Sequence, residues 1–265
     1  DFPGVQMGIC VVPADINFND GSYTHRIQDV AISGFKVMGF SGFGVFAYGS
    51  LTFKVSHVQA VNNGVYGIAR FDGIGGWITD SAASGSDEAG IYVGDSPNAH
   101  ALVRDNQSWG NGLGIFVRHT HKVTVRDNWV QGNCVGVLLL DDGQPEGSGD
   151  NWVQNNSVRN NNKFCPASDE APALSGGGIL LLGSQSNHII GNSVTDNHHA
   201  GTLASGGIVL LTSPDSMKGS SHNWIRGNRL DNNRPVGIRQ DKGSVDNHYS
   251  NNICRTSRPA WICAG

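Results

Sequence analysis

Residues 125–140 read VRDNWVQGNCVGVLLL: an alternating stretch, Asn128, a second alternating stretch, Asn133 five residues on, then Gly136 opening an apolar run. The same phrase returns along the chain. Paired asparagines stand at Asn106/Asn111, Asn128/Asn133, Asn156/Asn161, Asn192/Asn197 and Asn228/Asn233, with degenerate pairs at His57/Asn62 and Asp80/Gly85. The apolar runs that follow include GVFA at 44–47, GIYV at 90–93, GIFV at 114–117, GILL at 178–181 and GIVL at 207–210. Self-similarity at this period is the mark of a solenoid. Each unit offers three short strands and no unit can bury its own apolar side chains, so coils must stack, each strand pairing in parallel with its copy ~4.8 Å away. Asn tolerates a tight corner and bonds to backbone, so stacked Asn side chains would satisfy the bends, and the Gly before each apolar run would serve another corner. The expected fold is an all-β, single right-handed parallel β-helix with loop insertions flanking one sheet. Its hand follows from the general rule for parallel crossovers.

Composition agrees. The chain has 265 residues with 37 Gly and 15% charged residues, which suits many turns and few solvated helices. We expect one domain over 1–265, with a partial coil at 1–25, regular repeats from about residue 26 and a C-terminal end at 247–265. A net charge of −4 gives no footprint for nucleic acid, and the apolar runs are far too short for a membrane span. Nothing at Asp1 looks like a signal peptide, and a mature or trimmed start is expected if one was removed. Of five cysteines none forms a Cys-x-x-Cys pair, which favours disulfides over metal. Cys134 and Cys165 precede the apolar strands of successive coils and are expected to pair; Cys254 and Cys263 would staple the final half-coil, leaving Cys10 over. A secreted, extracellular location follows.

The spacing between repeats lengthens after Asn128, with extra residues in 141–150, 163–177, 198–206 and 212–222. These flank the Gly-initiated strand, which marks its sheet as the working face. By alternation its outward columns would be Phe46, Ala69, Tyr92, Phe116, Leu138, Leu180, Val209 and Arg239, then Tyr48, Phe71, Gly94, Arg118, Leu140, Leu182, Leu211 and Asp241. Tyr92, Phe116 and Phe71 would suit stacking on sugar rings. The aliphatic stretch would be an exposed patch, open to a homo-oligomer contact, unless the long loops cover it.

At the strand ends stands a polar column of Asp72, Asp95, His119 and Asp141, with Asp142 beside it and Arg118 near. Carboxylates and an imidazole on adjacent rows can give an acid and a base in one place. Neighbouring rows would match the ~5 Å spacing of a retaining glycosidase, and Asp95 with Asp141 the ~6.5–9.5 Å of an inverting one. On a uronic acid, a cation such as Ca2+ held by Asp95 and Asp141 would stabilise an enolate together with Arg118, while His119 or Tyr92 moved the proton. Strict alternation would turn Asp72 and Asp95 inward, so the column requires that the strand has already bent there, and Arg70 at an inward position points to a bulge. His119-x-His121 and His198-His199 are a weaker metal signal, lacking a third ligand. Asp169 and Glu170 read as solvated rim.

The phrases at 103–117 (VRDNQSWGNGLGIFV), 125–140 and 189–197 (IIGNSVTDN) resemble the right-handed parallel β-helix repeat of the pectate-lyase-like superfamily, over nearly the whole chain from about Arg26. That resemblance implies an extended polysaccharide as partner and a lyase, epimerase or glycoside hydrolase as activity, with non-catalytic carbohydrate binding or assembly as the alternative. Tyr92, Asp95 and His100 are similar in order to the epimerase Tyr-Gly-x-Asp-Pro-His signature, with interrupted spacing. The motif order of polygalacturonases is absent: Asp141-Asp142 follows His119 rather than preceding it.

Overall fold

The computed structural model describes residues 4–168, 171–198 and 201–263. Three parallel sheets of ten, ten and eight strands run along one stack, each strand pairing with its equivalents in the preceding and following coils. The glycine sheet contains Phe43–Tyr48, Tyr66–Phe71, Ala89–Ser96, Leu113–Thr120, Val135–Leu140, Gly177–Leu182 and Gly206–Leu211. Each coil then passes through a second sheet, as at Trp152–Gln154, and a third, as at Ser157–Arg159. This is the right-handed parallel β-helix expected from the repeat.

The corners differ in detail from the expectation. The ladder asparagines do not adopt the left-handed conformation; the residue before each one does. Asp105, Asp127, Asn155, Asn160, Asp196 and Asn232 all have φ between 49° and 57°. That turn points the following Asn into the interior, where Asn106, Asn128, Asn156, Asn192 and Asn228 form one file and Asn111, Asn133, Asn161, Asn197 and Asn233 another. Asn156 Oδ1, for example, accepts both the backbone N–H of Asn128 at 3.0 Å and its Nδ2 at 2.9 Å. His57, Asn62, Asp80 and Gly85 belong to the left-handed position as well, so the degenerate pairs sit one residue ahead of the file. A third file of Asn151, Asn187, Asn223 and Asn247 guards the corner between the glycine sheet and the second sheet.

The Gly that opens each apolar run is not a corner. A Cβ on Gly136 would press on Val158 of the third sheet, approach the carbonyl oxygen of Gly178 in the next coil at 2.7 Å and reach the Asn161 amide at 2.9 Å. Glycine is required there by close approach.

Alternation along the glycine sheet separates two hydrophobic clusters. Ile91, Val93, Ile115, Val117, Val137 and Leu139 face the lumen; Tyr92, Phe116, Leu138, Leu180, Val209 and Leu211 face outward. The outward set is buried, because the insertions fold back over it. The apolar face offered to a second subunit is thus covered by the chain's own loops. Arg70 makes no bulge: it pairs in register with Ala47 and Val93 and lies inside the stack, where burial, with Arg26 nearby, lowers its pKa to about 10. Its NH2 donates to the carbonyl of Ala99 at 3.1 Å.

Both expected disulfides are present: Cys134–Cys165 ties the 163–174 loop to the stack and Cys254–Cys263 closes the last coil. Such bridges mark an extracytoplasmic chain. Cys10 is free and exposed. No helix among the described residues is long and apolar enough to cross a membrane.

Candidate functional site

Asp72, just past the strand Tyr66–Phe71, and Asp95 and His119, each the last residue but one of its strand, have φ of 42°, 48° and 46°, so the chain has left strict alternation at this column. Asp95 and His119 therefore meet across adjacent coils at the edge of the glycine sheet, His119 Nδ1 standing 3.9 Å from Asp95 Oδ1. His119 is buried, and its Nε2 donates to the carbonyl of Pro145 at 2.5 Å. The other ring nitrogen, Nδ1, is buried, faces the Asp95 carboxylate and makes no hydrogen bond.

The loop that supplies Pro145 also supplies the centre of the network. Gln144 Nε2 donates to Asp95 Oδ1 at 3.0 Å and to Asp142 Oδ2 at 2.8 Å. One nitrogen touching both keeps these two oxygens closer than the two bonds laid end to end, a bound that admits the ~5–5.5 Å of a retaining pair. Arg118 reaches the same Asp142 oxygen through Nε at 2.7 Å and NH2 at 2.6 Å. Burial alone would raise the Asp142 pKa, but the bonds from Gln144 and Arg118 outweigh it and keep the carboxyl below its ordinary range. Arg118 in turn is held charged: burial opposes its charge, yet the carboxylates of Asp142 and Asp95 more than compensate. Tyr92 donates to Asp95 Oδ2 at 3.3 Å. Its phenol is pushed well above its usual range, first by burial and then by Asp95, so it serves as a hydrogen-bond donor and not as a base at neutral pH.

Several expected members lie elsewhere. Asp141 turns away from this network: its Oδ1 accepts the N–H of Gly143 at 2.9 Å and its Oδ2 the ammonium of Lys218 at 3.0 Å, in a separate small polar pocket of about 150 Å³. Asp72 is claimed by the N-terminal segment, through Tyr23 and Arg26. His100 is exposed and bonds to Asn98. Tyr92 is 0% exposed and stacks on Tyr66 at 4.6 Å, with Phe71 also at 4.6 Å, so these rings pack on one another instead of offering faces to a sugar. Phe116 keeps 5% of its surface.

That remaining edge of Phe116 lines a cleft of about 980 Å³. Leu138 and Leu140 extend its apolar lining, Arg118 and Asp142 stand in it, and Phe164 and Pro166 of the disulfide-tethered loop contribute to its wall. The insertions thus shape a groove over the glycine sheet while covering most of its apolar face. Gln144 and the loop wall were not singled out by sequence reasoning. The insertions marked the rim, but nothing in a lone Gln identifies a partner 49 residues away.

A family model for NosD, described as periplasmic copper-binding protein, matches residues 28–258. The chain belongs to the NosD family. No curated protein matches it in sequence. Among solved structures it is similar to the A-module of mannuronan C-5 epimerase AlgE6 from Azotobacter vinelandii, at 20% identity and a TM-score of 0.66, over 85% of this chain and 58% of that one. A point variant of the periplasmic alginate epimerase AlgG matches at 19% identity and a TM-score of 0.68, over 90% and 57%. DFA-IIIase from Arthrobacter chlorophenolicus A6 without its lid matches at 15% identity and a TM-score of 0.63, over 92% and 60%. At these identities the likeness establishes the fold, and the chain spans under two-thirds of the length of each structure.

The copper in the family's description finds no donor set among the described residues. No three His, Cys, Asp or Glu side chains converge there. Four of the five cysteines are in disulfides, and His119 and His121 direct their Nε2 atoms at the successive carbonyls of Pro145 and Glu146. Asp95 and Asp141, expected to share a cation, do not converge: Asp141 already has Lys218. His199, Asp169 and Glu170 lie outside the described residues.

Proposed function

We propose that this NosD-family protein is a carbohydrate-active β-helix protein, secreted beyond the cytoplasm, which holds a glycan chain in the cleft over the glycine sheet and hydrolyses it with Asp95 and Asp142. The observation that carries the reading is the pair of carboxylates joined by one Gln144 nitrogen beside the groove. Asp142, kept ionised, is suited to nucleophile or charge stabiliser; Asp95, linked to it through the shared Gln144 nitrogen and standing beside His119, is the second carboxyl that such a mechanism requires. The likeness in fold to two epimerases and to DFA-IIIase is consistent with a sugar substrate. Lyase or epimerase chemistry is less supported, because Tyr92 stays protonated and Arg118 is engaged by Asp142.

The test is a panel of neutral and anionic polysaccharides assayed in parallel for new reducing ends and for ultraviolet-absorbing unsaturated product. The expected result is reducing ends without unsaturation, retained anomeric configuration in the product, and a loss of roughly 10³-fold in turnover in Asp142→Asn. Unsaturated product would replace the hydrolase with a lyase. Glycan binding without turnover would leave a binding module.

A further inference from the structure

The charges around the cleft speak to what it admits. Among the described residues its lining includes four carboxylates, Asp87, Glu88, Asp142 and Asp215, against two cations, Arg118 and Lys163, a formal charge of −2 at pH 7. Of the two, Arg118 is already paired with a carboxylate, while the exposed Lys163 keeps its charge. Arg118 is bound to Asp142 through two nitrogens, and Lys163 donates its ammonium to the carbonyl of Gly110 at 2.9 Å. A chain of uronic acids brings one negative charge per sugar, and specific recognition of carboxylates calls for a free guanidinium or ammonium. In this groove it would meet one guanidinium already paired, a single ammonium and an excess of its own sign. Phe116, Leu138 and Leu140 offer the C–H faces of a pyranose an apolar lining instead, and side-chain carboxylates accept hydrogen bonds from sugar hydroxyls.

Resting on the carbohydrate reading above, we infer that the cleft takes an uncharged glycan and rejects polyuronates, unlike the alginate epimerases that share its fold. The discrimination is electrostatic and acts within a cleft comparable in size to the screening length, ~8 Å at physiological salt, so it should weaken as salt rises.

The experiment is calorimetric titration of the whole chain with size-matched oligosaccharides: neutral glucan, mannan and xylan fragments, and alginate and polygalacturonate fragments, at low and at high sodium chloride. Neutral oligomers should bind about tenfold or more tightly than any uronate at low salt, with the gap narrowing at high salt. Asp87 and Asp215 are both exposed and outside the proposed catalytic pair. The double variant Asp87→Asn, Asp215→Asn, in which each amide oxygen can still accept a sugar hydroxyl, should strengthen uronate binding several-fold relative to neutral binding. Uronates binding as well as or better than every neutral oligomer would overturn the charge argument while keeping the carbohydrate reading. Failure of every glycan to bind would overturn that reading, and this inference with it.

Discussion

A single ladder asparagine serves two coils, and its removal should cost accordingly. Asn156 accepts two hydrogen bonds from Asn128 and donates to the carbonyl of Val125 at 3.0 Å, all in the interior. Asn156→Ala strands the Asn128 donors away from water, a loss of about 2–4 kcal/mol. Asn252 makes the same bonds to Asn228 but is half-exposed at the end of the stack, where water can replace it, so Asn252→Ala should cost roughly 1 kcal/mol or less. Urea unfolding midpoints of the two variants check the difference, and equal losses would refute the reading. The file of Asn residues was legible because the letter repeats. Which residue takes the left-handed turn was not, because Asp, Asn, Ser, His and Gly all occupy that place, and only backbone geometry shows that the turn precedes the Asn. The third file had a signal too, the second five-residue step in Asn151/Asn156/Asn161 and Asn187/Asn192/Asn197, visible only in the later coils.

At the scale of the element, the 141–150 loop ties the carboxylate pair together and covers His119. Its insertion was plain from the repeat spacing, yet its direction of fold was not, and that direction decides which of two adjacent aspartates belongs to the cleft. Asp142 points to Arg118 and Gln144; Asp141 points to Lys218. The aromatic column was likewise correct in its outward direction and wrong in its exposure, because the covering segments are non-repeating and carry no periodic signal. Gln144 lowers the Asp142 pKa by donating to its charged form. Replacing it with Ala removes that bond, so the pKa rises toward its ordinary value and the carboxylate takes up a proton at higher pH. Glycan turnover should therefore lose its acidic side at a higher pH in Gln144→Ala than in the parent, with Asp142 still paired to Arg118. A pH–rate profile of the two proteins measures the displacement. An unmoved acidic limb would show that Asp142 ionisation does not govern the reaction.

Across the whole molecule, a solenoid is held by contacts between neighbouring coils, so its stability follows the distribution of those contacts along the axis. From Asn151 onward each full coil carries three buried asparagines in file, at its three corners. Earlier coils carry fewer. Val58 stands where later coils place the second-sheet asparagine, and its backbone N–H is served only by Ser81 Oγ at 3.1 Å. The early coils compensate outside the lumen, where Phe43, Phe46, Tyr66, Phe71 and Tyr92 pack together on the glycine sheet, but that cluster does nothing for the bends of the second and third sheets. Local opening should begin in the early part of those two sheets. Native-state hydrogen exchange should find the amides of Val153, Val158, Ile189 and Val194 protected by at least ~10-fold more than those of Val55 and Ala60, since each ~1.4 kcal/mol of added opening cost slows exchange tenfold. Equal protection along the stack would mean that the lumenal aliphatic side chains, present in every coil, set the opening energy and that the asparagine files are secondary to them.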